Sequence, residues 1–141
     1  LGGMTARADL MTWGVGAHGS TYGGNPVSCA AALATLDLVE GSLMRNADQV
    51  GARFVEGLRG LAARHPDTLR EVRGRGLMIG MGMRDHDTSV EFEHAAFRRG
   101  ALVLSCGDDA VRMAPPLVMR PDQVDVALRV IDETLAEVAG D

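Results

Sequence analysis

The chain has 141 residues, 46% of them hydrophobic and 23% charged, a composition typical of one globular domain. Its formal net charge of −5 comes from acids spread along the chain, which gives no reason to expect nucleic acid or an anionic membrane as a partner. We also expect no membrane-spanning helix, since no apolar stretch is long enough to cross a bilayer.

All 14 basic residues are arginine, so the chain contains no lysine. Chemistry that requires a lysine Schiff base therefore cannot be housed within these residues. The two cysteines, Cys29 and Cys106, lie far apart without CxxC or histidine spacing, and the four histidines show no metal-type spacing either. We expect no metal site and no disulfide framework, which favours a reducing, cytoplasmic environment.

A glycine-rich loop leads directly into the first predicted helix. It carries the hydroxyls of Ser20 and Thr21, and Asn25 and Pro26 then supply an N-cap and a proline at the first helical position. Free N–H groups and the positive end of the helix dipole would suit an anion at this point. The same residues also fit a tight turn followed by a cap, so spacing alone leaves both interpretations open.

Two helices are predicted in the first half of the chain. The first runs from Pro26 to about Glu40 and is apolar nearly all round, so we expect it to be buried on several sides. The second begins after an interruption at Gly41-Ser42 and ends near Arg64, with apolar side chains on one stripe.

The second half of the chain predicts strand pairs separated by helices. The Gly-Arg-Gly sequence at residues 74–76 precedes an apolar strand, so it predicts a glycine-rich hairpin rather than a dinucleotide fingerprint. This order predicts an α+β fold with a small, mostly antiparallel sheet covered by helices. The predicted elements are a strand pair over residues 69–83, a helix over 89–99, strands over 101–105 and 110–113, and a helix from Pro121.

Arg112 lies alone among apolar residues, shortly before the Pro115-Pro116 pair that ends its strand. A strand arginine is usually a solvated residue on the outer face of a sheet. In this position it could instead project into a cleft and hold a carboxylate through two hydrogen bonds. Spacing alone does not decide between these two interpretations.

Three motifs occur in the order and at the separations found in one enzyme family. They are AHGSTYGGNP at residues 17–26, VRGRGLM at residues 72–78 and VRMAPPL at residues 111–117. Together they are spread over residues 17–117, and the chain resembles the class III pyridoxal-phosphate aminotransferases. That family includes 4-aminobutyrate, acetylornithine and ornithine aminotransferases.

The resemblance implies the C-terminal portion of a fold-type I transferase. Residues 1–25 would be the tail of the large cofactor-binding domain with its dimer-interface phosphate loop, residues 26–66 connecting helices, and residues 67–141 the small C-terminal domain. Residues 1–3 resemble the end of a family stretch that closely follows the Schiff-base lysine. We therefore expect that lysine upstream of Leu1 and expect the 141-residue chain alone to be inactive.

The resemblance also implies roles for individual residues. Thr21, with Ser20 beside it, matches the loop that reaches across a homodimer interface to the phosphate of the partner's pyridoxal 5'-phosphate. Arg112 matches the arginine that binds the substrate carboxylate. The full-length enzyme would move an amino group from an ω-amino acid or related donor, 4-aminobutyrate-like, to a 2-oxo acid such as 2-oxoglutarate. The alternative is a degenerate or truncated domain that has no activity and only dimerises.

Overall fold

The computed structural model describes residues 1–140, and Asp141 lies outside the described residues. The chain divides into two compact units, of which the first is Leu1–Gly41 and the second begins at Ser42. The domain boundaries that the resemblance implies, after residues 25 and 66, stay predictions.

The first unit is a run of turns followed by one helix, α1 (Pro26–Leu38). The side chain of Asn25 caps it by accepting hydrogen bonds from the N–H groups of Val27 and Ser28, at 3.1 and 3.2 Å. No residue of α1 is buried, and Leu33 is 64% exposed. The prediction of a helix buried on several sides is therefore wrong for this chain, because the described residues supply no surface that covers it.

A π-helical turn (Val39–Leu43) follows α1 and precedes α2 (Met44–Arg64), where the sequence predicts an interruption at Gly41-Ser42. The helical run Pro26–Arg64 is long and apolar enough, by length and composition, to cross a membrane. The expectation that every apolar stretch is too short is therefore wrong by this criterion. One such helix is weak evidence for a membrane partner, because signal sequences and core helices of soluble proteins meet the same criterion.

The second unit is the expected α+β structure, with a four-stranded, fully antiparallel sheet in the order β1-β2-β4-β3. Helices α2 and α3 pack against the sheet, and α4 packs against both of these helices. Side chains with no exposed area, among them Leu58, Phe92 and Leu135, form the core between the layers. The remaining elements are β1 (Leu69–Arg75), β2 (Met78–Met83), α3 (His86–Arg98), β3 (Leu104–Cys106), β4 (Ala110–Met113) and α4 (Pro121–Ala139).

The sheet has a buried inner face and an exposed outer face. Val111 and Met113 are buried, whereas Arg112 between them is exposed. Arg112 is paired with Gly80 of β2 on one side and with Leu104 of β3 on the other. Residues that face each other in an antiparallel pair lie on the same side of the sheet. Arg112 therefore belongs to a cross-strand row on the outer face.

The turn between β1 and β2 packs closely against α2. Gly76 in this turn has a φ of +55°, a left-handed conformation that favours glycine. Gly51 of α2 faces it so closely that a Cβ there would lie 2.1 Å from the carbonyl oxygen of Gly76. The predicted glycine-rich hairpin is confirmed, and its turn is held against the helix.

Two elements begin at different residues from those predicted. Helix α3 begins at His86 rather than Ser89, because the side chain of Asp85 caps it. Strand β3 begins at Leu104 rather than earlier, since the N–H of Ala101 still donates to a carbonyl at the end of α3. Both differences arise from hydrogen bonds that hydrophobic periodicity does not report.

Candidate functional site

Arg112 opens onto a groove of about 470 Å³ beside the outer face of the sheet. No hydrogen bond or ion pair within residues 1–140 involves its guanidinium. By contrast, Arg73 of β1 pairs with Glu71, with Nη1 and Oε2 2.5 Å apart. Arg112 thus lies on the outer face and also opens into a concave site, so the two interpretations that the sequence left open are compatible. A guanidinium without a protein partner in such a place can receive a carboxylate through two hydrogen bonds.

The wall of the groove beside Arg112 is mainly apolar. It includes Phe97 of α3, Leu102 of the loop before β3, and Leu104 of β3, which are 66%, 82% and 53% exposed. Such a wall keeps water from one side of a bound molecule and strengthens charge–charge attraction across the groove. The groove can therefore take a molecule with one carboxylate and an apolar stretch.

Glu93 of α3 also lines the groove, and sequence analysis did not identify it. Its Oε2 accepts a hydrogen bond from the backbone N–H of Ser105 at 2.7 Å. Hydrogen bonding from Ser105 holds the pKa of the Glu93 carboxyl below its ordinary value. The contact joins a helix to a strand, so no motif or periodicity in the sequence signals it.

The glycine-rich loop lies in the first unit, where Ser20 and Thr21 are exposed neighbours. The N–H groups of Val27 and Ser28 at the start of α1 already donate to Asn25. The hypothesis that free N–H groups of the helix would bind an anion is therefore wrong for these two groups. The hydroxyls of Ser20 and Thr21 donate no hydrogen bond within the described part of the chain, which leaves them available to an acceptor.

These residues fit one part of pyridoxal 5'-phosphate. A phosphate group needs hydrogen-bond donors, and the exposed hydroxyls of Ser20 and Thr21 are of that kind. The covalent link to the cofactor needs a lysine, and the chain has none. The loop and Arg112 belong to different units, so each is described as a separate site.

Metal ligands are not grouped in the residues that the structure describes. Among residues 1–140, no set of three or more His, Cys, Asp or Glu side chains is placed to hold a metal ion. Cys29 and Cys106 are both free thiols of intermediate burial.

Comparisons with known proteins agree with the sequence motifs. A family model described as "Aminotransferase class-III" matches residues 1–135. Acetylornithine aminotransferase of Caldanaerobacter subterraneus is 34% identical over 139 residues, which are 98% of this chain and 35% of that protein. The chain therefore spans about a third of the length of the curated relatives it matches.

Solved structures show the same similarity. The acetylornithine aminotransferase from Elizabethkingia anophelis superposes with a TM-score of 0.79 at 32% identity, over 92% of this chain and 32% of that one. Lysine aminotransferase from M. tuberculosis gives a TM-score of 0.80 at 31% identity, over 86% of this chain and 28% of that one. These neighbours are fold-type I pyridoxal-phosphate aminotransferases, so the expected fold class is confirmed.

Proposed function

Because the chain belongs to the class III aminotransferase family, we propose that it is the C-terminal portion of a pyridoxal-phosphate-dependent transaminase. The observation that carries this proposal is the placement of Arg112. Its motif predicts a carboxylate-binding arginine, and its guanidinium opens onto a groove with no partner among the described residues. The Schiff-base lysine would lie upstream of Leu1, and this chain alone would be inactive.

In this proposal Arg112 binds and orients a substrate carboxylate. The backbone of Arg112 is held in place because β4 lies between two paired strands, β2 on one side and β3 on the other. The neighbouring side chains Phe97, Leu102 and Leu104 exclude water from one side of the substrate. A carboxylate fixed in this way brings the transferred amino group to a defined distance, which is how positioning raises the rate.

Thr21, together with Ser20, would hold the phosphate of pyridoxal 5'-phosphate across a homodimer interface. When bound, that cofactor supplies an electron sink for amino transfer, while the protein residues orient it. The exposed hydroxyls of the loop support this assignment, as does the exposed apolar surface of α1, where Val27 and Leu33 are 79% and 64% exposed. Apolar surface of this kind is typical of a face that another protein surface covers.

We propose that the donor carries a terminal amino group and a carboxylate, and that the acceptor is a 2-oxo acid such as 2-oxoglutarate. Two similar proteins are named for acetylornithine and lysine. Those names favour a donor of that length over the 4-aminobutyrate-like donor that the sequence resemblance suggested. Two free thiols support a cytoplasmic location.

The test is Arg112→Ala in the full-length protein, with Arg73→Ala as a control on the same face of the sheet. Loss of a charge-assisted contact of about 1.5–3 kcal/mol should raise KM for the carboxylate substrates by roughly 10- to 150-fold. The control Arg73→Ala should change KM little, since Arg73 already pairs with Glu71. An unchanged KM in Arg112→Ala would contradict the proposal that Arg112 binds the substrate carboxylate.

The alternative function is a domain without activity that only dimerises, and the absence of lysine is as compatible with this as with a piece of a working enzyme. Sequencing the coding region before Leu1 distinguishes the two. A lysine shortly upstream, in frame, supports the transaminase. A stop codon or a different residue at that position supports the alternative.

A further inference from the structure

The groove beside Arg112 is also lined by the carboxylate of Glu93, to which the proposed function gives no role. Glu93 and Arg112 both line the groove, yet no ion pair joins them within residues 1–140. The Glu93 carboxylate instead accepts the backbone N–H of Ser105 at 2.7 Å. Among the described residues, the groove therefore holds one anchored carboxylate and one guanidinium that has no hydrogen-bond or ion-pair partner.

Ser105 lies in β3, which is an edge strand of only three residues. An edge strand has backbone N–H groups that point away from the sheet and need other partners. Glu93 supplies such a partner for Ser105, and a hydrogen bond to an ionised acceptor is roughly twice as strong as a neutral one. Within residues 1–140 this is the one hydrogen bond that joins β3 to α3.

The position of β3 bears directly on Arg112. In the sheet register Leu104 faces Arg112, and Ser105 faces Val111. Leu104 also forms part of the groove wall. A displacement of β3 would therefore move both the wall and the strand that supports the backbone of Arg112.

Helix α3 is a rigid base for this contact. Phe92, Ala95 and Ala96 on the same helix are at most 1% exposed, so the backbone around Glu93 is fixed by the core. The lowered pKa of Glu93 agrees with a carboxylate that stays ionised and bonded at neutral pH.

We propose that Glu93 is a positioning residue for the carboxylate site at Arg112. It anchors β3 to α3 through Ser105, and β3 in turn holds the groove wall and β4 in place. The same bond keeps the Glu93 carboxylate away from Arg112, whose guanidinium remains available to the ligand. This inference rests on the proposed role of Arg112 in binding a substrate carboxylate.

The test compares two variants of Glu93 in the full-length enzyme, with 2-oxoglutarate as the varied substrate. Glu93→Gln keeps an oxygen that can accept the N–H of Ser105, whereas Glu93→Ala removes it. Glu91→Ala, an exposed acid of the same helix, is the matched control. Arg112→Ala is measured in parallel, and hydrogen exchange of the Ser105 amide reports the bond itself.

We expect Glu93→Ala to raise KM by about fivefold to tenfold, which is about the effect of losing one hydrogen bond, with kcat changed less than about twofold. Glu93→Gln should return KM to near the original value and keep the Ser105 amide protected. Glu91→Ala should leave both KM and the protection of the Ser105 amide unchanged. A role in folding alone would not produce a KM effect that glutamine rescues.

Three results overturn the inference. The first is an unchanged KM in Glu93→Ala beside a raised KM in Arg112→Ala, which leaves the proposed function intact. The second is an equal rise in KM for the alanine and glutamine variants, which assigns the effect to charge rather than to the hydrogen bond. The third is an unchanged KM in Arg112→Ala, which overturns the proposed role of Arg112 and this inference with it.

Discussion

The packing of Gly51 of α2 against the turn at Gly76 predicts opposite effects for two glycine-to-alanine changes in one helix. A Cβ at Gly51 would lie 2.1 Å from the carbonyl oxygen of Gly76 and 2.3 Å from its carbon. At Gly60 of the same helix, a Cβ would meet nothing within 4 Å. The two positions therefore share the helix but differ in the space around the added methyl group.

The magnitudes follow from two opposing effects. Alanine is favoured over glycine inside a helix by about 1 kcal/mol, so Gly60→Ala should stabilise the unit by about that amount. At Gly51 the obstacle is backbone, and overpacking of this kind costs up to about 3 kcal/mol. After the gain in helix propensity, Gly51→Ala should destabilise by about 2 kcal/mol, which leaves a difference of about 3 kcal/mol between the variants.

Hydrogen exchange of the slowest amides in α2 measures this difference, even inside a longer protein, because it reports the local free energy of opening. We expect faster exchange in Gly51→Ala and slower exchange in Gly60→Ala, relative to the unchanged protein. If Gly51→Ala exchanges as slowly as Gly60→Ala, then the helix and the turn are not in close contact and the reasoning fails.

Three further predictions concern separate parts of the chain. If the loop holds the cofactor phosphate as proposed, Thr21→Ala in the full-length protein should speed the loss of pyridoxal 5'-phosphate during dialysis, measured by cofactor absorbance. The same change at the exposed Thr12 should not. Hydrogen bonds from His65 and then Arg64 hold the pKa of the Asp132 carboxyl below its ordinary value. The stability from this cluster is therefore complete above that value and lost as the pH falls through the lowered pKa. Thermal unfolding should accordingly show Asp132→Asn to be less stable at pH 7, with the gap closing towards pH 3. Finally, the side chain of Asn46 donates to two backbone carbonyls in the segment after the Pro-Pro pair, at 2.7 and 3.0 Å. Asn46→Asp removes both donors and should cost about 1–3 kcal/mol in urea unfolding, and a variant of unchanged stability would contradict this account.

Sequence alone predicted the elements whose signals are local. Asn25 and Pro26 mark the start of α1, Pro121 marks the start of α4, and glycines mark the hairpin turn, all of which the structure confirms. These signals depend on hydrogen bonds and backbone preferences within a few residues of one another. The start of α3 was predicted three residues late, because hydrophobic periodicity does not report the cap that Asp85 forms with the N–H of Thr88.

The burial of α1 is the clearest error of sequence-based reasoning. Its apolar residues correctly indicate a helix that favours burial, but periodicity does not say which surface covers it. Within the described residues no surface does, and its side chains stay exposed. Burial depends on the whole assembly of surfaces, so it is not a property of the helix alone.

The sequence by itself determined the family, the α+β class and the residues to inspect, because motifs, caps and alternation are written in neighbouring positions. Only the tertiary structure decided that Arg112 opens onto a groove with no partner among residues 1–140, that Glu93 accepts the N–H of Ser105, and that Gly51 packs against the hairpin turn. Each of these depends on strand register or helix packing, which bring together residues from separate elements. Such contacts are set by the packing of the complete core, and the local pattern around either partner does not contain them.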